Sequence, residues 1–325
     1  MSTATSEKAI HKISVVIPLY NKAPYIARAI DSVLNQTEQD FEIIVVNDAS
    51  TDGGEETVKK YIDSRIRLFH RQEPGPGGHA ARNMGIQKAS AQLVAFLDAD
   101  DAYFPCFIDT ILRLRRNYPE AGAYSTAYEI VECSGKVIKP KFRAIPPAPW
   151  EGIIPNYFES VLEDPPIWTS ATAVPKEIFD AVGFFPEGAK TGGDLDMWLR
   201  IALKYKMAYH TYTGAIYHRD AVNRICVDPL PLNENALVRT IHNLIKNRLV
   251  DDQTLCLLKE YISLKELGRI RFLLRSSQIE EARVALSNNS TKIFLLERNN
   301  LFFLSKLPGP LLKLIYSIKD YYTNG

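Results

Sequence analysis

The chain has 325 residues, 39 basic against 38 acidic side chains, a formal net charge of +1 and 46% hydrophobic residues. These values exclude a disordered chain, a collagen-like repeat and a disulfide mini-scaffold, and the near-neutral balance argues against nucleic acid as the main partner. Cys106, Cys133, Cys226 and Cys256 are scattered, with neither a CxxC pair nor zinc spacing, so reduced thiols in a cytoplasmic protein are expected. The polar N-terminus lacks the apolar core of an export signal, and no apolar run is long enough to span a bilayer. Any work at a membrane is therefore expected at its surface, as a peripheral protein on the inner face.

The predicted elements alternate through the first half. Ile13–Leu19 is a continuous apolar, β-branched run of buried-strand type. Ala23–Asn35 follows with Ile26, Ile30, Val33 and Leu34 on one helical face. Phe41–Val46 predicts a second strand, Gly53–Ile62 a short helix and Ile66–Phe69 a third strand. After the turn-rich EPGPGG at Glu73–Gly78 come a helix over His79–Ala89, a strand over Leu93–Leu97 and a helix over Pro105–Asn117. Successive strand–helix units imply right-handed crossovers and a mostly parallel central sheet covered on both faces. In such an α/β sheet, ligands bind outside the carboxyl ends of the strands.

The middle is less regular. Ala121–Tyr128 and Val137–Lys141 flank a turn and read as a hairpin, Ala144–Pro155 as a proline-rich loop, and Trp168–Val174 as a strand. Asp194–Tyr205 is an amphipathic helix preceded by Gly192–Gly193. From Leu230 onward only helices are expected, with 14 basic and 9 acidic residues. Within them Gln278–Ser287 and Lys292–Leu304 suggest a helical hairpin.

The sharpest chemical signal is FLDADD, where a predicted strand runs into Asp98, Asp100 and Asp101. Extended backbone places Asp98 and Asp100 on one side. Two carboxylates at a strand end repel each other unless a cation intervenes, and a hard divalent ion suits them. For Asp101, helix capping is an equal alternative. In VVNDASTDG, Asp48 leaves the second strand in a position to accept from a base N–H, whereas Asp52 reads as a helix cap. EPGPGG is not a P-loop, because no Lys-Ser/Thr follows it.

The runs VVIPLYN, VVNDASTD, GHAARNMG, FLDADD and GGDLDMWLR, in this order, resemble the inverting family 2 glycosyltransferases of GT-A fold. The resemblance implies a GT-A domain over residues 1–222, with a nucleotide-binding half at about 10–120 and an acceptor half at about 121–222, followed by a helical region over 223–325. It implies that Pro18, Tyr20, Asn21, Asp48 and Arg82 lie on the nucleotide side. Asp98 and Asp100 would form a DxD element holding Mg2+ or Mn2+ against the diphosphate. His218 is a further metal-side position in some relatives, against the alternative of a satisfied structural histidine. The family often shows Glu-Asp where this chain has Gly193–Asp194, so Asp194 is the expected general base, against the alternative of a helix-terminal carboxylate. Asp196 is turned about 200° away on the helix and should face elsewhere.

The implied reaction is a single displacement that moves a sugar from a nucleoside diphosphate donor, a UDP-sugar foremost. The acceptor is a hydroxyl of a saccharide or lipid-linked saccharide, in cell-surface polysaccharide synthesis. A sugar nucleotidyltransferase is the alternative enzyme, disfavoured because PLYNKAPY after the first strand lacks glycine. A non-catalytic nucleotide-sugar-binding module is the other alternative. Trp198 is expected in the core, while Trp150 and Trp168 could stack on an acceptor or pack inside. The mixture of apolar and basic residues over Leu301–Tyr322 suits a peripheral membrane contact or packing on the catalytic domain.

Overall fold

The computed structural model describes residues 11–221 and 235–324, with side chains as far as Tyr316. Strand and helix alternate first: β1 (Ile13–Leu19), α1 (Ile26–Leu34), β2 (Phe41–Asp48), α2 (Gly54–Lys59), β3 (Ile66–Arg71), α3 (His79–Lys88) and β4 (Leu93–Phe96). Next come β5 (Ala102–Tyr103), α4 (Phe107–Asn117), β6 (Ala123–Val131), β7 (Val137–Ile138), β8 (Glu151–Ile153) and α5 (Tyr157–Ser160). A 3-10 turn at Thr169–Ala171 leads into β9 (Thr172–Pro175), α6 (Lys176–Val182), α7 (Gly193–Ala202) and β10 (Met207–His218). Five helices follow: α8 (Ala236–Asn247), α9 (Asp252–Arg275), α10 (Ile279–Asn288), α11 (Leu295–Leu304) and α12 (Gly309–Asn324).

The strands form one sheet in the order β3-β2-β1-β4-β9-β6-β10-β5, with β7 on β6 and β8 on β10. The first four are parallel. β9 is antiparallel to both β4 and β6, and β10 runs parallel to β6. The expectation of parallel strands therefore holds for the first half, and the second half is mixed. Period-two alternation splits the first strands between two cores: Val15, Ile17, Ile43 and Val45 enter one, and Val16, Ile44 and Val46 the other. Both faces are thereby sealed by helices. Because β2 and β4 flank β1, the chain reverses direction beside β1, which opens a crevice at the carboxyl ends of these strands.

Three expectations change. Ala144–Pro155 is not all loop, since Glu151–Ile153 pairs antiparallel with β10. The strand expected from Trp168 begins only at Thr172, because Ser170 turns its hydroxyl to Asp101 and accepts from the Asp98 N–H, bending the segment. The hairpin exists, but β6 runs on to Val131 and its partner is only Val137–Ile138.

The expected boundary at residues 222–223 lies outside the described residues. Beyond it, Leu237 and Ile241 of α8 and Leu258 and Tyr261 of α9 join the core that holds Trp198. The later part of α9 builds a second, smaller core with α10, α11 and α12 around Leu267, Ile270, Leu274, Leu286 and Leu301.

Candidate active site

The ends of β1, β2 and β4 open into a cleft of about 310 Å3. Pro18 and Tyr20 line it, and Tyr20 is 45% exposed. Asn21 takes a left-handed φ of 49°, which asparagine tolerates better than most residues. Its Oδ1 accepts from the Thr51 N–H at 2.8 Å and its own N–H donates to Ser50 Oγ at 3.1 Å. Asn21 thus bolts the β1 exit to the β2 exit and is not among the residues lining the cleft. Asp52 accepts from the N–H groups of Gly54 and Ala23, the first at the start of α2.

Asp48 lines the cleft but is buried. It pairs with Arg71 and accepts from the Gly75 N–H at 3.2 Å. One carboxylate therefore anchors the glycine-rich loop, whose Gly75, Gly77 and Gly78 form part of the cleft wall.

The GHAARNMG run becomes α3, and its residues divide the work. Gly85 abuts β1 so closely that an added methyl group would overlap Val16. Asn83 donates to the Phe185 carbonyl at 2.9 Å and accepts from the Phe185 N–H at 3.0 Å, fixing the approach to α7. Arg82 is buried, lines the cleft and pairs with Asp98. Burial opposes its charge, but Asp98 beside it more than compensates and holds the guanidinium firmly protonated.

At the β4 exit Asp98 meets Arg82, and Lys22 Nζ donates to Asp100 Oδ2 at 2.7 Å. Each carboxylate thus has a cationic neighbour. Asp101 is buried and turns the other way, accepting from Ser170 Oγ at 2.5 Å and from the His218 N–H at 3.1 Å. Burial, then the charges of Asp98 and Asp100, push its carboxyl well above the usual range. It caps no helix, because α4 starts six residues later; it ties β4 to β10.

Asp194 enters the cleft from the first turn of α7, accepting from the Leu195 N–H at 2.9 Å and from Thr169 Oγ1 at 3.4 Å. Asp196 turns away as expected, bonding Arg200 Nε at 2.9 Å and Thr240 Oγ1 at 2.5 Å. Gly192 has φ 71° and carries Asn235, the N-cap of α8, against its Cα. A Cβ on Gly193 would lie 2.5 Å from His79 Nε2. His79 fills the space that a larger residue at 193 would need. It is 6% exposed and stacked on Phe185 at 6.0 Å. Among the described residues its Nδ1 has no hydrogen-bond partner. Burial, then Arg82, pushes it down to about 4, so the ring is neutral at pH 7.

His218 ends β10 and does not line the cleft. Burial and Arg28 lower its pKa, with Asp220 and Asp100 acting against them. Trp168 and Tyr217 line the cleft with ring centroids 4.5 Å apart, and Trp168 stacks on Tyr128. Trp150 packs against the core and Trp198 is fully buried.

Sequence reasoning missed Lys22, His79 and Lys190, all of which line the cleft. Lys22 follows Asn21 directly and was visible as a basic residue at a strand exit. His79 opens the helix that carries Arg82, and no spacing marked it.

The cleft thus joins acids (Asp48, Asp98, Asp100, Asp194) with Lys22, Arg82 and Lys190 and with aromatic faces. Such a surface suits a polyanion carrying rings. Among the described residues no three His, Cys, Asp or Glu side chains form a ready metal cage. Two carboxylates at one strand end instead suit a hard cation that completes its shell with ligand oxygens and water.

Residues 14–171 match the family model for glycosyl transferase family 2. An uncharacterised glycosyltransferase of Rickettsia bellii is 34% identical over 195 residues, 59% of this chain and 26% of its own length. YibD of Escherichia coli, another uncharacterised glycosyltransferase, is 28% identical over 214 residues, 65% of this chain and 50% of its own. The chain spans only 26% to 33% of the length of its three Rickettsia relatives. The structure of residues 1–349 of Staphylococcus aureus TarS, in complex with UDP-GlcNAc, superposes with a TM-score of 0.65 at 15% identity, covering 93% of this chain and 88% of that one. That likeness concerns the fold, a GT-A sheet with C-terminal helices. The matched residues 14–171 carry four of the five motifs and most of the cleft, so it is the nucleotide-side half of the chain that is similar to glycosyl transferase family 2.

Proposed function

We propose that the protein is an inverting glycosyltransferase that moves a sugar from a nucleoside diphosphate donor, first of all a UDP-sugar, to a hydroxyl of a saccharide or lipid-linked saccharide. Cell-surface polysaccharide synthesis is the setting this reading favours. One observation carries it: Pro18, Tyr20, Asp48, Arg82, Asp98, Asp100 and Asp194, drawn from five separate segments, share a single cleft. The family match and the UDP-GlcNAc held by the TarS structure support the same reading.

In this reading Asp48 sets the glycine-rich wall beside the nucleotide, and Tyr20 offers a ring face to the base. Arg82, charged and buried, and Lys22 balance the diphosphate from the cleft wall. Asp194 accepts the proton of the acceptor hydroxyl as the new bond forms. With one base and one displacement, the anomeric configuration inverts. His79 stays neutral beside Asp194 and adds no charge there. Asp98 and Asp100 would hold Mg2+ or Mn2+, which fits their paired hard oxygens; when bound, the ion supplies Lewis-acid stabilisation of the leaving diphosphate. His218, outside the cleft lining but joined through its backbone N–H to Asp101, is at most an outer contact in this reading.

The test is a panel of sugar nucleotides assayed for hydrolysis without acceptor and for transfer to saccharides, with wild type and Asp194→Asn. Wild type should consume one donor class. The variant should lose transfer and keep donor affinity. A variant with most of its turnover would remove Asp194 as the base. Wild type that binds UDP and turns over no donor would make the protein a binding module instead.

A further inference from the structure

The C-terminal helices carry apolar side chains on two faces, and among the described residues only one face is packed inside the molecule. In α11, Leu301 is 4% exposed and packs into the small core with α9 and α10. Leu295, Leu296, Phe302 and Phe303 fall within about 120° on the opposite side of the helix and are 50%, 78%, 46% and 66% exposed. In α12, Leu312 and Tyr316 are buried, while Leu311 and Leu314 point outward at 43% and 55% exposure. Packing on the other described residues thus accounts for the inner face alone. Each of the two consecutive helices keeps large apolar side chains on its outside, a feature that marks an interaction surface.

Charge says what these side chains meet. Residues 291–316 contain Lys292, Arg298, Lys306 and Lys313 against the single acid Glu297, and Arg271 already neutralises Glu297. Lys292, Lys306 and Lys313 are exposed. Lys306 Nζ sits 4.4 Å from the centroid of the Phe302 ring, so a positive charge borders the outer apolar side chains directly. A second copy of the same face would bring like charges together. An anionic bilayer complements both features, with phosphates for the lysines and acyl chains for the rings. Among the described residues no helix is long and apolar enough to cross a membrane, so the contact lies in the interface plane. The segment leading into α11 is anchored: Glu260, buried in α9, accepts from Thr291 Oγ1 at 2.6 Å and from the Lys292 N–H at 2.7 Å.

We propose that the outer face of α11 and α12 docks on an anionic lipid surface, with Phe302 and Phe303 entering the acyl boundary and Lys292, Lys306 and Lys313 at the headgroup phosphates. This inference goes beyond sugar transfer and stands without it.

The experiment is flotation of the full chain with vesicles of phosphatidylcholine alone and of phosphatidylcholine mixed with phosphatidylglycerol, at low and high salt. Wild type should float with the mixed vesicles, weakly with the neutral ones, and less as salt rises. The pair Phe302→Ser with Phe303→Ser, and separately Lys306→Gln with Lys313→Gln, should each lower partitioning by about tenfold or more. All four side chains are on the outside, and unchanged thermal unfolding would show the variants folded. Wild type that stays with neither vesicle, or phenylalanine and lysine pairs that float as wild type does, would overturn the proposal. So would a concentration-dependent oligomer in lipid-free sedimentation that the phenylalanine pair dissolves, which would assign the face to a second copy.

Discussion

Around the cleft, charged side chains are drawn inward: Arg82 and Asp48 are 8% and 2% exposed, and each has its own counter-ion, Asp98 for the first and Arg71 for the second. Along α11 and α12 the reverse holds, with large apolar side chains facing out and lysines beside them. Burying a charge is costly unless it is paired, and exposing a phenyl ring is costly unless something covers it. Each region departs from the ordinary arrangement in one direction, which is what the proposed donor site and the proposed lipid contact would each require.

Substitutions can separate the two regions. The largest effect is expected from Asp194→Asn, which should reduce transfer by about a thousandfold, whereas Phe302→Ser with Phe303→Ser should leave turnover on a soluble acceptor unchanged. Steady-state kinetics on both variants checks this, and equal losses would mean that the two regions are not independent. Next in size is Asp98→Ala. It leaves the buried Arg82 without its closest partner and should cost about 3 kcal/mol in urea unfolding. Glu297→Ala breaks the exposed pair with Arg271 and should cost less than about 1 kcal/mol.

A further substitution sharpens the view of the cleft itself. Gly193→Ala pushes a methyl group against His79 and should destabilise by about 1–2 kcal/mol. Combined with His79→Ala the loss should be less than additive, as a double-mutant cycle would show; strict additivity would separate the two residues.

The pH dependence is the gentlest probe. His79 is neutral in the folded chain down to about 4, whereas its unfolded value is 6.5. The unfolded state therefore binds the proton first, and stability should fall as pH drops from 6.5 to about 4, with no further loss from this group below that. Glu42 behaves in the opposite charge sense. Burial would raise its pKa, but Ser14, Ser90 and Arg67 hold the carboxylate down at about 2 from 4.5. Its stabilisation is complete above pH 4.5 and is lost as pH falls towards 2. Urea titrations should show His79→Phe flattening the upper window and Glu42→Gln the lower one.

Much of the site was legible because its strands are simple. β1, β2 and β4 are continuous apolar runs, and their exits place Tyr20, Asp48 and Asp98 without further information. The acids of FLDADD were separable in part: Asp98 and Asp100 line the cleft, and Asp101 is spent on β10. β10 was the hard element. Its register shifts twice between His210 and Ala215, so counting by twos cannot say which way His218 points. Asn21 was placed beside the nucleotide by resemblance, whereas its left-handed backbone turns the amide to Thr51. His79 stayed hidden because its position depends on a glycine more than a hundred residues away, a relation no local pattern carries. In α11 and α12 the composition revealed an amphipathic character, but only packing shows which apolar residues are left over.

The most direct measurement is titration calorimetry of UDP into the wild-type protein and into Asp98→Asn with Asp100→Asn, each with Mn2+ and with a chelator. The account predicts one site in the wild type, tighter with Mn2+, and loss of that metal-dependent gain in the double variant. Affinity that is the same under all four conditions, or no binding at all, would contradict it.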